Sequence, residues 1–262
     1  MPGAQSFFRA VGSALVLLLG CVFVAPAAAI SGRDIALKVD AVDTSKSGEQ
    51  DIVMVVKRGD EKLVRTMHVK KIRDAECEKQ LILFSEPSDV RGTSFLTWGY
   101  KDLERDDDMW VYMPEAALVR RISGGGKKGA FMRSDFANED ISRREVDDDT
   151  HTLVGEEELY GVKCYRIDMV PVQTDNTNYS KRRMWVRQDI WLPARVDYYN
   201  KAGVVIKRSV YGGFKQIEGI WTATRQLMKS LQTQSQTLLE TRKVQYDIAL
   251  KEEMFSHSVL KR

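Results

Sequence analysis

Cysteine, histidine and proline are all scarce in this chain of 262 residues, and each scarcity removes a class of protein. Three cysteines occur, with no CxxC pair, so a redox couple or a zinc ribbon has no ligands. The three histidines, His68, His151 and His257, are far apart and lack metal-ligand spacing. Only six prolines occur, and 43% of the residues are hydrophobic, which excludes a proline-rich or disordered chain and allows a packed core. Neither sign of charge dominates: 40 basic residues face 37 acidic ones, a net +3. Nucleic-acid binding needs a clustered basic surplus, which is absent. No G-x-S-x-G motif and no glycine loop ending in G-K-[ST] occurs, so a nucleophile elbow and a P-loop are missing. No nucleophile, base and acid set emerges from residue order. The pair Asp168 and Asp189 is of a kind any β protein offers, so no catalytic or metal site is legible in the residues.

Long apolar runs are also missing, except one. Residues 10–24 are apolar but too short for a comfortable membrane span. A positive charge at Arg9 precedes them and Ala27-Ala28-Ala29 follows, the pattern of a cleaved export signal over residues 1–29. The remaining 30–262 read as a single domain. Leu18-Leu19-Gly20-Cys21 resembles a lipobox, but the residues after Cys21 stay apolar as far as Ile30, unlike a polar lipoprotein tether. A soluble form in an oxidising compartment is therefore expected over a form lipidated at Cys21. That compartment permits a disulfide between Cys77 and Cys164, and two separate thiols are the other possibility.

Beyond the signal the pattern starts helical. Ser31 can cap a helix with Asp34 three residues on, and Ile35, Val39 and Val42 share a face. From residue 51 the period becomes that of strands: 51–58, 63–73, 79–85, 93–101 and 109–113, then 151–159, 163–172, 182–188, 194–199, 204–214, 220–229 and 237–246. Between the two sets lies a glycine-rich stretch, Ser123 to Gly129, followed by a predicted short helix capped by Ser134 and carrying Phe136 and Ile141. No βαβ alternation occurs, which argues against a parallel sheet. The fold class is mainly β: a strongly curved antiparallel sheet of about ten strands forming a half-open barrel. The N-terminal and central helices would cover its concave face.

Several blocks resemble the LolA-like family of outer-membrane lipoprotein-sorting proteins. Residues 84–96 match a passage F-x-x-P-x-D-V-x-G-T-x-F-L, and residues 134–141 match S-D-F-x-x-E-D-L with Ile141 at the last place. Residues 35–40, 108–114, 120–122 and 187–196 add to the likeness, which covers nearly the whole mature chain. The nearest likeness is to standalone periplasmic members paired with RND-type exporters. The resemblance implies a periplasmic carrier with an apolar cavity for lipid or lipoprotein acyl chains, a non-enzyme with no catalytic residues and no cofactor. An inner-membrane exporter would be its donor and an outer-membrane site its acceptor. The rival reading is a periplasmic sensor module that recognises lipoprotein and binds a partner protein, although such regulators usually carry a second domain.

Candidate cavity residues are the large apolar side chains Leu83, Phe95, Trp98, Trp110, Tyr112, Phe131, Met132, Phe136, Trp185 and Trp191. Each methylene removed from water contributes about 0.8 kcal/mol. The glycines Gly124, Gly125, Gly126 and Gly129 are candidate lid hinges. The runs Asp106-Asp107-Asp108 and Asp147-Asp148-Asp149 lack the alternation of a calcium loop and read as solvated turns. If the signal is cleaved as expected, N-terminal sequencing of the exported protein starts at Ile30. Recovery of a lipid-modified Cys21 as the first residue would overturn that expectation.

Overall fold

The computed structural model describes residues 29–261, so all but the last residue of the signal predicted over 1–29, Cys21 included, lies outside it. Helix α1 (Gly32–Asp40) begins as its sequence predicts. Ser31 Oγ accepts from the Asp34 N–H at 3.1 Å, and Asp34 accepts from the Ser31 N–H at 3.0 Å, closing a capping box. The helix buries Ile35 and Ala36 against the sheet. Gly32 is obligatory there, because a Cβ would sit 2.7 Å from the Leu153 nitrogen.

Thirteen strands follow, each antiparallel to its neighbours. The first meander holds β1 (Ser47–Arg58), β2 (Glu61–Arg73), β3 (Cys77–Glu86), β4 (Ser94–Tyr100), β5 (Asp108–Met113) and β6 (Leu118–Arg121). The second holds β7 (Asp149–Leu159), β8 (Val162–Pro171), β9 (Lys181–Arg187), β10 (Pro193–Tyr199), β11 (Val205–Ile217), β12 (Ile220–Ser230) and β13 (Gln236–Tyr246). Pairing of β1 with β13 fuses the two meanders into one sheet, leaving β6 and β7 as its edges. The strand count exceeds the predicted ten. Edge strand β6, only four residues long and mostly exposed, has no apolar alternation to announce it.

Alternation sorts the side chains into two faces. Met54, Met67, Phe84, Phe95, Val111, Val196, Tyr198 and Met228 fall in one packed cluster. Val111 on β5 and Val196 on β10 share it although seven strands separate them, so the sheet curls around this face. The segment joining the edges, residues 122–148, runs inside the curl as a strap. Its Phe131 and Phe136 are essentially fully buried in the same cluster, and the Phe131 ring lies 4.9 Å from Phe95 and 5.8 Å from Phe84.

The predicted central helix does not form. Residues 129–138 make a small hairpin, with the Asn138 N–H donating to Gly129 O at 2.8 Å and the Phe131 N–H to Phe136 O at 2.8 Å. Ser134 and Ala137 are extended, and only short 3-10 turns flank them (Phe131–Arg133 and Asn138–Asp140). Hydrogen bonds from the strap to the sheet override local helix preference here. The Cys77–Cys164 bond is also absent. Both thiols are free and buried, on β3 and β8 with seven strands between them.

The strap's aromatic side chains make a measurable demand. Phe136→Ala should cost about 3–5 kcal/mol in denaturant unfolding through its cavity. Leu83→Ala, at a side chain 41% exposed on the outer face, should cost under about 0.5 kcal/mol.

Candidate functional site

The predicted cavity residues separate onto different surfaces. Phe95, Phe131, Met132 and Phe136 meet in the concave cluster. Leu83, Trp98, Trp110 and Tyr112 do not. Strand register places Leu83 opposite Ser94, Leu96 opposite Trp110 and Ser94 opposite Tyr112, on the outer face. There the C-terminal turns Glu252–Phe255 and His257–Lys261 pack on Trp98, Trp110 and Tyr112 while Leu83 stays exposed, and Trp98 Nε1 donates to Phe255 O at 2.9 Å. Trp185 is on the outer face too, against Cys164 and Ala194, with the Arg195 guanidinium 4.3 Å over its ring. Trp191 stacks on Tyr165 beside α1, at 5.7 Å. A period of two assigns neighbours to opposite faces, but sequence alone does not say which face is concave.

What lines the concave face instead includes methionines and tyrosines from distant parts of the chain: Met54, Met67, Met184, Tyr198 and Met228 on strands, and Tyr179 just before β9. An inner cavity of about 230 Å³ remains between α1, the strap and β7–β11. Its apolar wall is Ala36, Val39, Ile167, Met169, Met184 and Val196. Its polar wall includes Glu139, Asp140, Arg144, His151 and Arg182. A charged outer cleft of about 120 Å³ shares Glu139, Ser142 and Arg144 with it.

The polar wall is how the strap is held. At the tip, the buried Arg65 guanidinium donates to the Met132 carbonyl. Next, Asp135 accepts from Thr237 Oγ1 at 2.6 Å and from Ser235 Oγ. Then Glu139 accepts from Thr177 Oγ1 at 2.6 Å, the Asn178 N–H at 2.8 Å and Arg182 Nη2 at 3.2 Å. Finally Asp140 Oδ2 accepts from the Ala137 N–H at 2.7 Å and the Tyr179 hydroxyl at 2.9 Å, with Lys207 Nζ at 3.4 Å. Burial, with Asp140 beside it, pushes the Tyr179 hydroxyl far above its ordinary range, so it stays a donor. Burial likewise lowers His151, against the pull of Asp149 and Asp147. Burial opposes the charge on Arg144, but Asp149 at 2.8 Å outweighs it and raises the guanidinium further.

The glycine stretch forms a 3-10 turn, Gly124–Lys128, pinned at both ends. Asn138 Nδ2 donates to Gly126 O at 3.0 Å and Asn178 Nδ2 to Lys128 O at 2.9 Å. The two acidic runs are largely tied into the fold: Asp107 accepts from the Tyr100 N–H at 3.0 Å, Asp147 pairs with Arg33, and Asp149 with Arg144. Among the described residues no acidic, histidine or cysteine group has the arrangement of a metal site. Arg182, Tyr179 and Lys207 gave no sequence signal. They become legible only when β9 and β11 are placed beneath the strap.

Arg182 also approaches Asp149 at 3.8 Å, so it serves two buried carboxylates. Arg182→Met should cost about 3–5 kcal/mol in stability at neutral pH, because it leaves the buried Glu139 without a cationic partner, whereas Asp149 keeps Arg144. Arg182→Lys, which keeps the positive charge, should lose clearly less. An equal loss in the two variants, measured by denaturant unfolding, would show that the charge is immaterial.

Comparison with known proteins agrees with this architecture. A DUF1329-like family profile, described as that of an uncharacterized protein, matches residues 76–262. A DUF1329 family protein from Desulfovibrio piger is 39% identical, with a TM-score of 0.85 over 87% of this chain and 97% of that one. A structure from Vibrio parahaemolyticus, described as a candidate outer membrane lipoprotein-sorting protein domain, is 30% identical with a TM-score of 0.84, covering 88% and 98%. A LolA superfamily protein from Nitrosomonas europaea shares the fold at 22% identity and a TM-score of 0.72, covering 88% and 100%. No curated protein matches the chain in sequence. An open curved sheet, an N-terminal helix on its concave side and 30–39% identity across nearly the whole of two relatives lead to one assignment: the chain belongs to the DUF1329 family, and its fold is LolA-like.

Proposed function

We propose that this protein is a periplasmic carrier that binds lipid or lipoprotein acyl chains inside the curled sheet and acts by binding, not catalysis. The observation that carries this reading is the strap. The centre of the concave face is filled by Phe131 and Phe136, on a segment outside the sheet, held by side-chain hydrogen bonds at a few points. The remaining cavity, about 230 Å³, is below the 300–1,000 Å³ typical of ligand pockets, so this is the closed form. Displacing the strap would expose an apolar trough lined by methionines, which adapt to variable chains.

The energies allow exchange. A sixteen-carbon tail gains on the order of 10 kcal/mol by burial. Two phenylalanines leaving the interior give up about 3–6 kcal/mol, and several hydrogen bonds go with them. Cargo and strap thus compete within a few kcal/mol, as a carrier that must also release requires. The description of the Vibrio relative as a candidate lipoprotein-sorting domain supports this reading. An RND-type inner-membrane exporter as donor and an outer-membrane acceptor would complete the route, with Gly124, Gly125, Gly126 and Gly129 as the hinge at which the strap swings.

The test is a locked strap. In a Cys77→Ala, Cys164→Ala background, Asp135→Cys with Thr237→Cys joins strap to β13 on oxidation. Native mass spectrometry should find about one lipid per chain in the reduced protein purified from its periplasm. The oxidised protein should take up none. Equal uptake in both states would exclude the strap as the lid. A stoichiometric protein partner with no lipid in either state would favour the sensor reading.

A further inference from the structure

Among the described residues, two buried polar atoms on residues that line the inner cavity have no hydrogen-bond partner: Arg182 Nη1 and Asp140 Oδ1. The other unpaired buried atoms, on Asn138, Arg166 and Trp185, belong to residues outside that wall. Arg182 is 5% exposed and the Asp140 side chain 2%. Asp149 Oδ1, at 3.8 Å from Arg182 Nη1, is an ion-pair partner too distant for a hydrogen bond. Leaving such groups unpaired in an interior is costly.

The two atoms differ in kind: one donates and the other accepts. Tyr179 bridges their residues. Its hydroxyl donates to Asp140 Oδ2 at 2.9 Å, and the Arg182 guanidinium lies 4.8 Å over its ring. The facing wall is apolar, with Ile167, Met169, Met184 and Val196. A complementary ligand therefore carries one acceptor and one donor on a small polar group, followed by hydrocarbon.

From this we propose that the cavity receives the linkage of an acyl chain held by a secondary amide, a reading that rests on the carrier function above. The amide carbonyl accepts from Arg182 Nη1 and the amide N–H donates to Asp140 Oδ1. The first methylenes lie along Met169 and Met184, and the rest of the tail occupies the trough vacated by Phe131 and Phe136 when the tip of the strap lifts, with Glu139 and Asp140 left in place. An ester supplies the acceptor but no donor, leaving Asp140 Oδ1 unpaired. An ionised fatty acid places a second negative charge beside Asp140. The amide chemistry can come from an N-acylated lipoprotein or from an N-acylated amino lipid.

The experiment is displacement of the apolar fluorophore 1-N-phenylnaphthylamine from the full chain by a matched pair, N-ethylhexadecanamide and ethyl hexadecanoate. One unmade hydrogen bond predicts displacement by the amide at about tenfold lower concentration than by the ester. Asp140→Asn should reverse the order. Its oxygen keeps the Ala137 and Tyr179 donors, so its NH2 turns to the cavity and presents a second donor. Equal displacement by amide and ester in the unaltered protein overturns the amide assignment and leaves the carrier reading standing. An amide preference that survives unchanged in folded Asp140→Asn overturns the role of Asp140. Failure of the fluorophore and both ligands to bind overturns both proposals. An N-palmitoyl peptide and an N-palmitoyl amino acid run alongside separate the two sources, and displacement by either at the amide's concentration supports the assignment.

Discussion

Everything in this fold depends on how a wide curled sheet fills its own concave side. Thirteen antiparallel strands cannot lie flat, because right-handed twist accumulates across them, and a curled sheet encloses more volume than its inward side chains occupy. Here the volume is taken by α1 near β7 and β8 and by the strap elsewhere. The strap enters because of topology. It must connect β6 to β7, the two open edges, and the route across the mouth is the short one. Its backbone, having no strand partner beyond one bridge at Ala130 and Ala137, is satisfied by its own hairpin and by side chains from the sheet.

Much of this was legible in the sequence. The switch from a period of 3.6 to a period of two located α1 and nearly all the strands, and Ser31 with Asp34 marked the start of α1 correctly. The Ser-Asp-Phe block carries part of the family likeness, but its sequence points to the wrong local structure. Ser134, Asp135 and Phe136 do resemble a helix cap and its first turn. Their role is instead long-range: Asp135 reaches Thr237, 102 residues away, and Phe136 enters the core. Such pairings are set by β1 meeting β13, a non-local ladder that no window of sequence reports. The same ladder decides which face is concave, and for that reason Trp98, Trp110 and Tyr112 were misassigned while Tyr179 and Arg182 were missed.

The two faces also differ in what covers them. On the outer face the Trp98 and Trp110 rings, 5.2 Å apart, are roofed by Phe255 and Leu260 from the C-terminal turns. That roof is itself apolar, and Phe255 and Leu260 are buried in the contact, so the aromatic patch forms a second core. The concave cover is chemically different. Beside its buried aromatics the strap carries carboxylates at 135, 139 and 140, which are costly to desolvate and compensated only in one position.

That difference bears on which cover can move. An apolar roof slides with little penalty for small displacements, since burial is non-directional. The tip of the strap, held by Asp135, has no such tolerance. A shift that breaks Asp135 from Thr237 and Ser235 strands its buried charge, unless water follows it. Intermediate positions of the tip are thus disfavoured relative to both the closed one and a fully displaced, hydrated one. Polar anchoring of an apolar plug makes the interior two-state, and a two-state interior holds or releases a chain without a continuum of leaky forms.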